Sequence, residues 1–230
     1  MNTPPDISDP NAWILYADAD LLVVNKPAGL LSIPDGYHPG LPHLAQALSP
    51  AVGKLWIVHR LDKETSGVML LARSAEAHRQ LNQSFRERAL RKLYHCLAAP
   101  NPQWHSQDLD LPLRVNADRA HRTRVDLKRG KPARTLVNVL QRGESFALLE
   151  CALFSGYTHQ IRAHLYAAGL GILGDALYHP KALNTEDARL QAERMMLHAY
   201  EIGFKHPSSG LELSFRAPYP QDFEKKLSSL

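Results

Sequence analysis

One segment constrains this chain more than any other: two apolar runs enclose a charged motif. The runs are residues 55–58 and 68–71, and between them the chain reads His-Arg-Leu-Asp-Lys-Glu-Thr-Ser-Gly. Short apolar runs bounded by polar residues predict buried strands. Buried charges are costly unless they are paired, so a core hairpin does not need this motif. We therefore interpret residues 59–67 as a site, with Asp62 as its leading candidate.

Composition excludes several classes of protein. With 44% hydrophobic and 22% charged residues, the 230-residue chain is predicted to fold rather than to be disordered. Its apolar runs are too short to span a membrane, and residues 1–10 lack the pattern of a signal peptide. We expect a frayed tail at residues 1–12 and a single domain, with two sub-lobes as an option, at 13–230. Cys96 and Cys151 lack Cys-x-x-Cys spacing, so we expect no disulfide or zinc cluster and a cytoplasmic location.

Basic residues concentrate in two stretches. Residues 114–134 hold eight Lys or Arg residues against two Asp residues, and residues 86–92 hold four against one Glu. Two separate basic stretches suit a surface that follows phosphates. A solvated loop and a solvated helix end are the equal alternative. The candidate phosphate contacts are Arg91, Lys92, Arg122 and Arg124.

The pattern of apolar residues predicts an α+β fold. Short strands joined by turns outnumber helices, which favours a largely antiparallel sheet with flanking helices. Strands are predicted at residues 13–16, 21–25, 55–58, 68–71, 93–99, 134–140, 146–154, 196–204 and 211–216. Helices are predicted at residues 44–48, from a cap at Ser74, at 158–168 and at 223–227. In the third, we expect a cap at Thr158, a stop at Gly169, and Gln160, Arg162 and His164 on the surface.

The carboxylate of Asp62 is open to several kinds of chemistry. It can serve as a nucleophile, a general base, a metal ligand or an ion-pair partner of Arg60. A metal would need further ligands, and His159 and His164 lie five residues apart rather than the four that brings two rings together. No glycine-rich loop that cradles phosphates occurs. We expect no metal and no nucleotide at this site.

Several motifs together resemble a known family. The segment at residues 59–67 resembles the signature of the RluA-type pseudouridine synthases, and the other motifs follow in the order that this family has. They are residues 21–30, 91–94, 156–164, 173–175 and 196–199. The resemblance runs from about Trp13 to Phe223.

The resemblance implies a fold, a reaction and roles for residues. The fold would be that of a pseudouridine synthase, with a cleft across the sheet. The family isomerises uridine in RNA to pseudouridine without a cofactor, by way of a base turned out of its stack. Asp62 matches the catalytic aspartate, Arg162 the arginine that pairs with it, and Tyr94 the tyrosine that stacks on the uracil. Three routes, through C1′, C6 or C2′, are open to Asp62.

The resemblance also suggests RNA contacts. Arg60 matches an arginine that fills the space left by the base. His59 is interpreted as structural or RNA-contacting, while His159 and Gln160 either contact RNA, orient Arg162 and the loop, or pack the helix. At Tyr157 the family commonly has a basic residue, so local RNA docking differs there.

The RNA partner is predicted only as a class. No RNA-binding module of the S4 type precedes Trp13. In this the chain resembles the short members of the family, which act on tRNA, or on tRNA and a ribosomal RNA hairpin. We expect a monomer that recognises a stem-loop and has no membrane partner.

Two other functions compete with the isomerase. A non-catalytic RNA-binding or RNA-folding factor on the same scaffold would use the basic stretches equally well. A hydrolase with Asp62 and His59 as nucleophile and base is the weaker hypothesis, because residues three apart at a strand end need not face each other and no serine elbow occurs.

Overall fold

The computed structural model describes residues 8–180, 183 and 187–230, and they form two compact units. Unit 1 comprises the chain up to Lys92 together with Ala199–Pro220, and unit 2 comprises Leu93–His198 and Gln221–Leu230. Of the predicted tail, residues 1–7 lie outside the described residues, while Pro10–Trp13 is a short 3-10 helix. Among the described residues, no helix has the length and apolar character that crossing a membrane requires.

The described residues contain both predicted kinds of secondary structure. The strands are β1 Ile14–Ala17, β2 Leu21–Lys26, β3 Trp56–Ile57, β4 Ser66–Ala72, β5 Arg91–Ala99, β6 Ser106–Asp110, β7 Leu113–Arg114, β8 Arg124–Val125, β9 Arg134–Arg142, β10 Ala147–Leu153, β11 Gly171–Ile172, β12 Leu197–Lys205 and β13 Glu212–Arg216. The α-helices are α1 Leu44–Val52, α2 Ala75–Arg86, α3 Gln160–Ala167 and α4 Gln221–Leu227. The predicted α+β class is confirmed.

Unit 1 is built on a sheet in the order β1, β2, β4, β12, with β3 beside β4 and β13 beside β12. Every residue of β4 is buried, which explains its nearly continuous apolar sequence. Helix α2 lies against β4 and buries Ala77 and Leu81, as their four-residue spacing predicts. Its predicted cap is confirmed, because the amide of Ala77 donates to Ser74 Oγ at 3.1 Å.

Unit 2 is built on an antiparallel sheet in the order β5, β10, β9, β6, with β11 beside β5. The predicted hairpin is confirmed as β9 and β10, and Tyr94 on β5 lies directly opposite Cys151 on β10. Both cysteines are buried and carry free thiols. Strands β7 and β8 form a separate ribbon.

The start of α3 differs from the prediction. The residue before the helix is His159, not Thr158, and it adopts a left-handed backbone conformation with φ 57° and makes no side-chain capping bond. Gly169, with φ 80°, ends this segment as predicted. The placement of Gln160, Arg162 and His164 on the surface is wrong, since all three are buried. The first six residues of the helix are all buried, and Ala163 belongs to a core cluster with Leu113 and Tyr178, so only the last turn is exposed.

Candidate active site

The loop between β3 and β4 in unit 1 carries Asp62. The amide of Leu70 donates to His59 Nε2 at 2.9 Å, and Ser32 Oγ both donates to the carbonyl of Leu61 (2.8 Å) and accepts from its amide (3.0 Å). Residues 59 and 61 are thereby tied inward. The alternate residues Arg60 and Asp62 are exposed and half-buried, respectively.

A buried lysine fixes the next residue of the loop. The ammonium of Lys26 donates to the carbonyl oxygens of Pro27 (2.8 Å), Leu30 (2.8 Å) and Lys63 (3.1 Å). The Lys26 side chain is 0% exposed, and a buried charge of this kind must be satisfied by hydrogen bonds. Lys26 therefore acts as scaffolding that holds the turn directly after Asp62.

Position 67, the last residue of the motif, must be glycine for a steric reason. Gly67 has φ 115°, and a Cβ placed on it would lie 2.2 Å from the carbonyl oxygen of Ala199 on β12. Only glycine tolerates both this conformation and so close an approach of backbone to backbone. The motif is thus pinned at its inner positions and at its end.

His59 is neutral over the physiological range. Burial, with a contribution from the charge of Lys92, lowers the pKa of His59 to about 3. Its ring also stacks on Phe85 with centroids 4.7 Å apart. These contacts favour the structural interpretation of His59 over RNA contact. Burial and the charge of Arg88 lower the pKa of the half-buried Lys92 to about 8.

In unit 2, Arg162 is buried and holds a carboxylate that the sequence did not assign to it. Its Nε lies 2.6 Å from Asp175 Oδ2 and its Nη2 lies 2.8 Å from Oδ1, a two-point ion pair. The guanidinium also lies over the ring of Tyr178, 4.8 Å from the centroid. Asp175 falls in the motif at residues 173–175, so the family pattern marked it, but no local signal gave it a partner.

The residues before Arg162 are used inside unit 2. Gln160 accepts from Ser155 Oγ (2.8 Å) and the Tyr157 amide (3.2 Å), and it donates to the Arg134 carbonyl and to Thr135 Oγ1, both at 3.0 Å. These four bonds favour its interpretation as a residue that orients the loop.

Tyr178 ties the helix start to the basic stretch. Its hydroxyl lies 3.2 Å from His159 Nδ1, accepts from the amide of Thr123 at 2.7 Å and donates to the carbonyl of the same residue at 3.1 Å. Thr123 Oγ1 in turn donates to the Thr158 carbonyl at 2.6 Å. The sequence carries no local signal for the role of Tyr178 or of Thr123.

The two arginines that flank Thr123 share one carboxylate. Arg122 Nε and Arg124 Nη2 each lie 2.8 Å from Asp118 Oδ2. Loss of hydration alone would raise the pKa of Asp118, but the hydrogen bonds from Arg122 and the charges of both arginines bring it to about 2. The stretch is therefore less positive at this point than its arginine count indicates.

The predicted site residues divide between the units. Unit 1 carries His59, Arg60, Asp62, Arg91 and Lys92, and unit 2 carries Tyr94, Arg122, Arg124, His159, Gln160 and Arg162. The pairing of Asp62 with Arg162, the stacking role of Tyr94 and the RNA contacts stay predictions. In the described part of the chain, no three His, Cys, Asp or Glu side chains are grouped as a metal site would require.

Comparison with known proteins decides the family. The family model for RNA pseudouridylate synthase matches residues 20–167, which include both the Asp62 motif and Arg162. The chain belongs to this family. It is 36% identical to the ribosomal large subunit pseudouridine synthase D of Neisseria meningitidis serogroup A over 94% of its own length, but spans only 60% of that relative. It is also 36% identical to the dual-specificity RNA pseudouridine synthase RluA of Pasteurella multocida, covering 94% of this chain and 96% of that one.

Solved structures agree with this membership. Human RNA pseudouridylate synthase domain containing 4 matches with a TM-score of 0.76 and 28% identity, over 96% of this chain and 94% of that one. Human RNA pseudouridylate synthase domain containing 1 matches with a TM-score of 0.77 and 25% identity, over 95% and 86%. The predicted pseudouridine synthase fold is confirmed.

Proposed function

We propose that this protein isomerises uridine to pseudouridine in structured RNA. The N1–C1′ bond of the nucleotide breaks, a C5–C1′ bond forms, the hydrogen on C5 leaves as a proton, and N1 takes up a proton, so that the product is an isomer of the substrate. Asp62 is the catalytic carboxylate, Arg162 its ion-pair partner and Tyr94 the ring on which the base stacks. The observation that carries the proposal is the anchoring of residues 59, 61, 63 and 67, which fixes the backbone on both sides of the half-buried Asp62.

A fixed backbone matters for this chemistry. The carboxylate must meet one atom of a base that has left its stack, and a preorganised group loses little to reorientation. Arg162 is buried and makes two hydrogen bonds to Asp175, which supports its proposed role as the ion-pair partner of Asp62. Arginine stays charged, and its guanidinium has five N–H donors that suit carboxylate oxygens. Neither role calls for a cofactor.

The substrate we propose is a stem-loop of tRNA, of ribosomal RNA, or of both. One relative of nearly equal length is named a dual-specificity enzyme, and others are named for the large ribosomal subunit. Such substrates fit a cytoplasmic monomer whose basic residues contact phosphates.

The test is tritium release from RNA labelled at uridine C5. Wild-type protein should release tritium, while Asp62→Asn and Asp62→Ala should release none and still bind the same RNA. Undiminished release by Asp62→Asn would reject Asp62 as the catalyst. Wild-type protein that binds tRNA but releases no tritium from tRNA or ribosomal RNA would favour the non-catalytic RNA-binding factor instead.

A further inference from the structure

One buried carboxylate in unit 1 holds two exposed arginines. Glu201 on β12 has a side chain that is 1% exposed, whereas those of Arg91 and Arg216 are 60% and 68% exposed. Arg216 Nε lies 2.6 Å from Glu201 Oε2, and Arg91 Nη2 contacts Oε1. Ser214 Oγ adds a hydrogen bond to Oε1 at 3.0 Å.

The strand register explains why these groups meet. Arg216 lies directly opposite Glu201 in the β12–β13 pair, and Ser214 lies opposite Gly203. Arg91 passes over Gly203, since the position of a Cβ there would be 3.4 Å from Arg91 Nε and 3.6 Å from its Cβ, which is ordinary contact. The side chain of Arg91 therefore crosses the strand over a glycine to reach the carboxylate.

Each guanidinium uses only part of its donor set. A guanidinium has five N–H donors in a fixed planar fork. Arg216 bonds through Nε, and Arg91 through Nη2, which is also 3.4 Å from Ser214 Oγ. Within the described residues, Nη1 and Nη2 of Arg216 and Nε and Nη1 of Arg91 have no protein acceptor. These donors belong to exposed side chains that are held in place.

The charges leave the cluster positive. Burial alone would raise the pKa of Glu201, but the hydrogen bonds from Arg216 and Ser214 and the charges of both arginines lower it. The carboxylate is therefore ionised, and two cations face one anion. A single arginine would neutralise Glu201, so the second leaves one positive charge in excess. Removing either arginine removes that excess.

We propose that Arg91 and Arg216 form a clamp for one backbone phosphate of RNA, with Glu201 as the residue that positions both. The inference rests on the proposed function, since it takes RNA as the ligand. Guanidinium N–H groups match phosphate oxygens in geometry and charge. The clamp is carried by the unit that carries Asp62, and Ala199, which touches Gly67 of the Asp62 motif, is two residues before Glu201 on β12. Two residues of a strand span about 7 Å.

The test is phosphate-ethylation interference with one end-labelled tRNA that the wild type binds. Ethylation of one phosphate, or of two neighbours, should block binding by the wild type but not by Arg91→Gln or Arg216→Gln. Each variant should bind about tenfold more weakly, as for one lost charge-assisted hydrogen-bonded group. The slope of log K against log salt should fall by about 0.7–0.9 in each. The double variant leaves the cluster with the negative charge of Glu201 alone, so it should bind more weakly than either single variant.

Two controls separate geometry from charge. Arg79→Gln removes an exposed arginine that pairs with Glu76 on α2, so it makes the same change in net charge and should leave the interference pattern unchanged. The pair Glu201→Gln with Arg216→Gln keeps the net charge of the cluster and leaves no buried carboxylate unpaired, yet it should lose the interference signal. This variant also carries the test if Arg216→Gln fails to fold.

An interference pattern unchanged in Arg91→Gln and in the charge-neutral pair would overturn the clamp. Inorganic phosphate could also raise the melting temperature of the wild type but not of Arg216→Gln. If it does so while the interference pattern stays unchanged, the arginines bind free phosphate rather than RNA, and the clamp is again rejected. Tritium release by the wild type tests the isomerase separately. RNA binding with the clamp signal but without tritium release would reject the isomerase and leave the clamp standing.

Discussion

Arg162 and Asp175 form a two-point ion pair inside unit 2, with both side chains almost fully buried. Asp175 Oδ1 also accepts from the amides of Leu177 (2.8 Å) and Tyr178 (3.2 Å), so the turn after β11 fixes the carboxylate. The carboxylate in turn fixes the guanidinium. The orientation of Arg162 therefore depends on a loop 13 residues away in sequence.

We expect Asp175→Asn to lower the rate of isomerisation more than RNA affinity. Without the carboxylate charge, Arg162 loses a partner that holds two of its donors, and a small misplacement of a reacting-site group costs about 10- to 100-fold in rate. The free energy of unfolding should also fall by about 3 kcal/mol, because a buried charge loses its partner. Single-turnover tritium release and filter binding measure the two effects.

The pair Arg194 and Asp222 supplies the control for that experiment. It has the same two-point geometry in the same unit, with Nε and Nη2 at 2.5 and 3.0 Å from the carboxylate oxygens. Asp222→Asn should lower the free energy of unfolding by a similar amount. When it is assayed well below its melting temperature, it should isomerise uridine at the wild-type rate. Equal losses of rate in both variants would reduce Asp175 to a purely structural residue.

Gly67→Ala should prevent the Asp62 motif from closing on β12. The new Cβ would fall 2.2 Å from the oxygen of Ala199, and the positive φ adds strain of its own. We expect a loss of roughly 3–5 kcal/mol in urea unfolding, as strain and overpacking add. Gly53→Ala is the control for backbone strain alone, since Gly53 has φ 79° but no atom within 4 Å, and it should cost about 1–2 kcal/mol. Similar losses in the two variants would contradict the steric argument.

The sequence predicts what local rules control. Apolar periodicity predicted most strands of both units but not β6, β7, β8 and β11, and the cap at Ser74 follows from the conformation that serine favours at that position. The Asp62 loop was predicted from its charges, because they interrupt two buried strands. Gly169 as the end of α3 follows from the positive φ that glycine accepts.

What sequence could not predict depends on contacts distant along the chain. His164 was expected at the surface, but its Nδ1 lies 2.8 Å from Thr135 Oγ1 and its Nε2 lies 2.9 Å from the Leu111 carbonyl. Polar side chains bury when such partners exist, and partners 29 and 53 residues away leave no periodic trace. The role of Glu201 could not be predicted either, because its two arginine partners lie on other strands, β5 and β13.

Acid should destabilise the protein through His59. Its folded pKa of about 3 lies below the unfolded value of about 6.5, so the unfolded chain takes up the proton first as the pH falls. Stability from this group is present above pH 6.5 and is lost progressively towards pH 3, by about 2 kcal/mol between pH 7 and pH 5. His59→Gln can still accept from the Leu70 amide but does not titrate. Urea unfolding should therefore show a smaller loss between these pH values in the variant, and equal losses would exclude His59 as the source.

The basic stretch of unit 2 should contribute less to RNA binding at Arg122 and Arg124 than two free cations would. Asp118 neutralises one of the two charges, so replacing both by Ala should flatten the slope of log K against log salt by about 0.7–0.9, one phosphate rather than two. Lys128 and Arg129 are exposed, and their amides, rather than their cations, are bonded to Asp126. Replacing this second pair should flatten the slope by about twice as much. Equal slopes for the two double variants, measured by filter binding from low to moderate salt, would show that Asp118 does not compensate its neighbours in the complex.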